Sequence, residues 1–169
     1  GSVYYQMGKY MYENNQFEDA FSYFSEALRN GYSSINMYYG LGVMYLNGRG
    51  VEKDYEKSAD AFEQGYRLGD PKCGNRLGRL YEQGRGRPKD LRKAHDLYLE
   101  ASRKGLPEAF LYLGNMYSQN NGIGKDLQKS ESYWIKAADL GNKDAVKNLV
   151  QLYKSQKDND KARMWEMKL

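Results

Sequence analysis

The 169-residue chain has one cysteine and one histidine, and each scarcity removes a class of chemistry. Cys73 has no second thiol with which to close an internal disulfide. Zinc sites draw on several imidazoles or thiolates; His95 and Cys73 stand alone, and no HExxH spacing exists. A Cys–His nucleophile needs contact and an orienting third group, and the placing of these two residues supports neither. No acidic residues form a recognisable acid–base pair. No run approaches the roughly 20 apolar residues that cross a bilayer. Charge of one sign is scarce too: 26 Lys and Arg against 22 Asp and Glu leave a net +4. That balance supports solubility and gives little for nucleic acid to recognise. The expectation is a protein without catalysis, metal or cofactor, and without a membrane span or nucleic-acid partner. Cys73 reads as a small buried helix residue and His95 as a partly exposed one.

What the chain does have is a returning phrase, in a sequence of 40% apolar and 14% aromatic content. Leu41-Gly42-x-x-Tyr45 recurs 36 residues later as Leu77-Gly78-x-x-Tyr81 and again as Leu113-Gly114-x-x-Tyr117. A worn copy, Leu149-Val150-x-x-Tyr153, follows, and Gly8-x-x-Met11 precedes. A unit of this size cannot bury its own apolar face, so it stacks on its neighbours as a solenoid. Asp70-Pro71 opens a helix with a side-chain acceptor and a proline in the first turn. Cys73, Leu77, Leu80 and Tyr81 then recur at helical spacing up to Gly84-Arg85-Gly86. Asp90 caps a second helix carrying Ala94, Leu97, Tyr98 and Ala101, which stops at Gly105. The preceding unit repeats this with Asp54, Ser58, Phe62 and Gly69. The following one uses Asp126, Ser130, Trp134 and Gly141, with Asn120-Asn121-Gly122 in the connection. Asn120 is expected to take the left-handed conformation, which asparagine tolerates best after glycine.

Glycine inside a helix costs about 1 kcal/mol relative to alanine. Gly42, Gly78 and Gly114 therefore imply close approach to large partners, expected to be Phe62, Tyr98 and Trp134. The outermost units have short turns, Glu13-Asn14-Asn15-Gln16 and Gln156-Lys157-Asp158-Asn159, as terminal repeats often do. Trp165 is expected to cover the last interface. Gly48-x-Gly50 and Gly84-x-Gly86 are not dinucleotide fingerprints, since no strand precedes them and the third glycine is missing. The basic connections Arg49 to Lys53 and Arg85 to Lys89 read as solvated loops, with phosphate or anionic lipid as the other reading.

These residues resemble the Sel1-like repeat family, a branch of the tetratricopeptide superfamily. The small residue, Leu-Gly-x-x-Tyr, Gly-x-Gly, Asp and terminal Gly are present from Met37 to Gly69, Cys73 to Gly105 and Ala109 to Gly141. Arg87-Pro88 departs from the usual valine, and Val150 replaces the helix glycine. The disulfide-rich subclass is not resembled. The resemblance implies an all-α, α/α solenoid of helical hairpins in a right-handed superhelix, read as one domain over 1–169 with units near 1–34, 35–70, 71–106 and 107–142 and a partial or capping unit 143–169. It implies first helices lining a concave face, and work as a non-enzymatic adaptor for a protein or peptide in bacteria, periplasmic or cytoplasmic. Two further roles belong to the same expectation: immunity protein against a secreted toxin, or envelope regulator binding glycan or an anionic surface. No cleavable leader is legible at the start, with a removed signal segment as the other reading.

On that expectation the partner-facing columns are Tyr5, Lys9, Tyr12, Asn36, Tyr39 and Val43, then Lys72, Asn75, Arg76 and Arg79. Glu108, Leu111, Tyr112, Asn115, Lys147 and Gln151 continue them. These positions change from unit to unit while the packing phrase stays fixed. An aromatic and aliphatic start gives way to a basic strip, for which a segment with an apolar anchor followed by acidic residues is the complement. Packing between units is the competing reading for Tyr12 and Tyr39.

Overall fold

A computed structural model describes residues 1–120 and 123–169. Among the described residues it is helical, with no strand: α1 (Ser2–Glu13), α2 (Phe17–Arg29), α3 (Ile35–Asn47), α4 (Tyr55–Arg67), α5 (Pro71–Gln83), α6 (Leu91–Arg103), α7 (Pro107–Ser118), α8 (Leu127–Asp139), α9 (Lys143–Ser155) and α10 (Asn159–Glu166). The architecture is an all-α solenoid of stacked helical hairpins. Two compact units divide it, Gly1–Asp90 and Leu91–Leu169.

In the first unit the hairpins α1/α2 and α3/α4 close on glycine. A methyl built on Gly8 would lie 2.6 Å from the Phe24 ring, and one on Gly42 would lie 2.5 Å from Phe62. Real side chains do not tolerate such contacts, so these glycines set the distance between paired helices. Phe62 is fully buried, a burial that contributes roughly 1.5–3 kcal/mol. Ser58 Oγ donates to the Gly42 carbonyl at 2.7 Å, which satisfies this buried hydroxyl. α5 opens as expected, Asp70 accepting from the amides of Lys72 at 3.3 Å and Cys73 at 3.1 Å. α3 and α5 end on left-handed Gly48 and Gly84, φ 66° and 65°.

The loop glycines that follow stack successive hairpins. Any β-carbon on Gly50 would strike the Phe17 carbonyl, and one on Gly86 the Tyr55 carbonyl, at the first residues of α2 and α4. The arginine between each pair lies over the same aromatic: Arg49 is 5.4 Å from the Phe17 centroid and Arg85 is 5.3 Å from Tyr55. These two arginines thus anchor the loops through cation–π contact.

In the second unit α7/α8 repeats the design. A methyl on Gly114 would clash with the Trp134 indole, and Ser130 Oγ donates to the Gly114 carbonyl at 2.8 Å. Asp126 caps α8 through the Lys129 amide at 3.0 Å. α9 and α10 close the unit around Val146, Leu149, Val150 and Trp165, which is 4% exposed as a covering residue should be.

One connection departs from expectation. α7 ends at Ser118, and Gln119 is extended at φ −114°, ψ 153°. Among the described non-glycine residues positive φ occurs at Asn15 and Lys157, so Asn120 does not play the left-handed role. Without glycine at that place the helix stops one residue short of the α3 and α5 pattern. The left-handed device appears instead in the two short outer turns. Asn121 and Gly122, the rest of that expected connection, lie outside the described residues.

Candidate functional site

The first helices α1, α3 and α5 carry the expected partner-facing columns of the first unit. Lys9, Asn36, Lys72 and Arg76 are exposed, and Tyr12, Tyr39, Val43 and Arg79 are half-buried. Tyr5 and Asn75 are buried, at 8% and 5% exposure. Tyr5 packs 6.1 Å from Phe24 and 5.2 Å from Tyr32, which makes it a core residue of the hairpin, not a partner-facing one. Asn75 keeps its side-chain oxygen buried without a hydrogen-bond partner.

The structure brings two of these residues together across neighbouring hairpins. Arg76 Nη2 donates to Tyr39 Oη at 3.4 Å, and the Tyr39 ring leans on Phe62 at 6.0 Å. Packing thus holds the ring while its hydroxyl meets an exposed cation. Tyr12 is similarly fixed, edge-on to Phe17 at 5.3 Å. Lys9 pairs with Glu13 at 3.8 Å, an exposed pair of little energetic weight, and half-buried Arg79 meets Glu82 at 3.6 Å. Lys72 and Arg76 are the exposed cations of the basic strip.

In the second unit Glu108, Lys147 and Gln151 are exposed, and Lys147 meets Asp144 at 3.0 Å. Leu111 is 7% exposed and joins the apolar core with Val146 and Leu149, so it serves packing. Tyr112 leans on Tyr98 at 5.3 Å. Asn115 Oδ1 accepts from Trp134 Nε1 at 2.9 Å and from Asn148 Nδ2 at 3.0 Å, a polar tie that positions the indole.

The lone thiol and imidazole have structural surroundings. Cys73 is fully buried, and burial first and Asp70 second push its thiol up from the ordinary 9.0, keeping it protonated and inert. His95 is half-buried in α6, its Nε2 3.0 Å from Tyr117 Oη and its Nδ1 3.6 Å from Asp96. A polar hollow of about 280 Å³ adjoins them, lined also by Arg92 and Ile123. No group of three or more His, Cys, Asp or Glu placed to hold a metal occurs among the described residues.

Arg87 is the residue whose role the sequence did not disclose. Its guanidinium donates to Asp60 at 2.6 Å and Glu63 at 3.2 Å on α4, and to the Gly86 carbonyl at 2.9 Å. The loop position where the family resemblance leads one to expect valine thus holds an ionic clamp. The signal was present in Asp60 and Glu63, three residues apart on one helix face.

The Sel1 repeat family model matches residues 1–32, 36–70, 73–106 and 107–142. A protective antigen present in uropathogenic Escherichia coli strains shares the fold over 99% of this chain at 23% identity and a TM-score of 0.86, and the chain spans 37% of that protein. A Sel1 repeat protein from Oxalobacter formigenes matches 99% of this chain at 28% identity and TM-score 0.85, with 71% of its own length covered. Cysteine-rich protein B of Helicobacter pylori matches 79% of this chain at 25% identity and TM-score 0.60, with 95% of that chain covered. No curated protein matches. No helix among the described residues is long and apolar enough to cross a membrane. With four repeat matches along most of its length, the chain belongs to the Sel1-repeat family of the tetratricopeptide-like superfamily, a non-catalytic repeat scaffold of the kind that mediates protein interactions.

Proposed function

We propose that this scaffold binds a protein or peptide segment along the face built by the first helices of its hairpins. The observation that carries the reading is the Tyr39–Arg76 pair, joined at 3.4 Å across adjacent first helices. Tyrosine and arginine are the side chains that most often dominate interfaces, since each combines contact area with polar reach. Here the ring is held by Phe62 and the cation is exposed, so an apolar anchor on the partner meets Tyr39 while an acidic residue meets Lys72 and Arg76. Preorganisation of the ring lowers the ordering cost of binding.

The test is affinity capture from a bacterial lysate at native salt, followed by calorimetry with the captured partner. A stoichiometric protein partner that binds the Tyr39→Ala/Arg76→Ala variant at least about tenfold more weakly supports the proposal. Undiminished binding by that variant overturns it. A toxin as the partner would narrow the role to immunity. Retention on cell-wall material or anionic vesicles, with no protein captured, would transfer the role to envelope regulation.

A further inference from the structure

The two units contain the same aromatic corner, filled differently. In the second unit His95 meets Tyr117 edge-on at 5.7 Å and 85°. Lys129 Nζ lies 5.1 Å from the Tyr117 centroid. Tyr133 completes the corner, stacked on Tyr117 at 5.9 Å and 12°, with Phe110 6.4 Å away. In the first unit Phe21 meets Tyr45 edge-on at 5.5 Å and 86°, and Lys57 Nζ lies 5.8 Å from Tyr45. Tyr38 and Tyr45 precede Phe110 and Tyr117 by 72 residues, two repeat periods. By the same count the residue that corresponds to Tyr133 is Ala61. A cavity of about 240 Å³ occupies that place, lined by Phe21, Leu28, Tyr38, Leu41, Tyr45 and Ala61.

We propose that this cavity is a seat for one aromatic side chain, tyrosine or phenylalanine, of a partner polypeptide, held in the pose that Tyr133 adopts within the chain itself. The volume is below the roughly 300–1,000 Å³ of sites for drug-sized ligands and suits a single ring. Rings attract at centroid separations of about 4.5–7 Å when offset or edge-on, and the standing walls Tyr45 and Phe21 already provide both orientations. Lys57, Asp60 and Gln64 form the polar rim. Gln64 stands where Lys136 covers Tyr133 at 5.6 Å, so one cation of the filled corner is missing. Asp60 is engaged by Arg87 at 2.6 Å, whereas Lys57 has an exposed pairing with Asp54 at 3.8 Å. A carboxylate beside the incoming ring is therefore the complement of Lys57. The seat uses Tyr38, Leu41 and Tyr45 of α3, columns other than Tyr39 and Val43, and stands independently of the first-helix reading.

The test is an NMR titration of the full chain with three blocked dipeptides: acetyl-Tyr-Glu-amide, acetyl-Leu-Glu-amide and acetyl-Tyr-Lys-amide. Acetyl-Tyr-Glu-amide is expected to saturate with a Kd on the order of millimolar, shifting Leu28, Leu41 and Ala61. The leucine peptide should bind about tenfold more weakly, since a branched side chain cannot stack. The lysine peptide should be weaker by a few-fold, roughly the strength of one exposed charge pair. Ala61→Tyr should fill the seat from within and abolish the shifts while its helical circular dichroism is unchanged. Tyr133→Ala should open a second seat, adding shifts at Phe110 and Tyr117; should it fail to fold, Ala61→Tyr alone decides. No saturable shift, equal binding of the leucine peptide, or unchanged binding by Ala61→Tyr overturns the proposal. Self-association of the free chain that disappears in Ala61→Tyr would put a second copy's ring in the seat and equally overturn it.

Discussion

At the scale of single residues, what distinguishes this chain is where it forgoes a side chain. Gly42 weakens α3 as an isolated helix by about 1 kcal/mol relative to alanine. The loss is offset because α3 and α4 can then meet across the Phe62 ring, which a β-carbon on Gly42 would approach at 2.5 Å. Adding a side chain there forces the ring or the helix to move. Gly42→Leu is expected to destabilise the protein by about 2–3 kcal/mol or more, as overpacking in a rigid seam does. Ser22→Leu, on the exposed face of α2, should change stability by less than about 0.5 kcal/mol. Urea unfolding of both variants checks the contrast, and equal losses would refute the seam argument.

At the scale of elements, the turns separate the outer hairpins from the inner ones. Asn15 and Lys157 sit at φ 60° and 59°, in the short turns of α1/α2 and α9/α10. The left-handed region crowds the β-carbon of an ordinary residue by about 1–2 kcal/mol, while glycine gives back part of that as lost chain entropy. Lys157→Gly should therefore raise stability by roughly 0.5–1 kcal/mol, read as a higher urea midpoint, and Asn15→Gly by less. The hairpin register was legible in the sequence because a helix glycine marks every pair before α9, and Asp54, Asp70 and Asp126 mark helix starts. The end of α7 was not, since no residue type announces an extended Gln119. Nor was the width of the buried stripe. Tyr5 and Leu111 stand in one repeat column with half-buried Tyr39 and exposed Lys147, and their neighbours Phe24 and Val146 decide that they are core. The seat at Ala61 was written in the chain as a missing tyrosine, readable once the filled corner around Tyr133 is known. Asp60 and Glu63 were legible as an acidic pair on α4, but that the loop residue Arg87 reaches them, 27 and 24 residues along the chain, needed the third dimension.

At the scale of the whole molecule, three titrating groups share one sign. Burial pushes the Cys73 thiol up, with Asp70 adding to it. Tyr153 is raised by burial and by its hydrogen bond to Glu131, and Tyr133 by burial and the neighbouring Tyr117. Each holds its proton more tightly folded than unfolded. The unfolded thiol releases its proton near 9.0 and the unfolded phenols near 10.0, whereas the native groups do not. Above pH 9 the unfolded state thus binds fewer protons than the native one, and stability falls as pH rises. The contribution is complete below that pH, with a limiting slope of about 1.4 kcal/mol per pH unit for a fully shifted group. Half-buried Tyr133 adds a smaller share, because solvent screens it. Urea midpoints should be flat from pH 7 to 8.5, decline from about pH 9 through the thiol, and steepen near pH 10 through the phenols. Cys73→Ala should delete the first decline and leave the second, a comparison of slopes that holds even if the variant starts less stable. An early decline that persists without the thiol would place its origin elsewhere than in buried Cys73 at the start of α5.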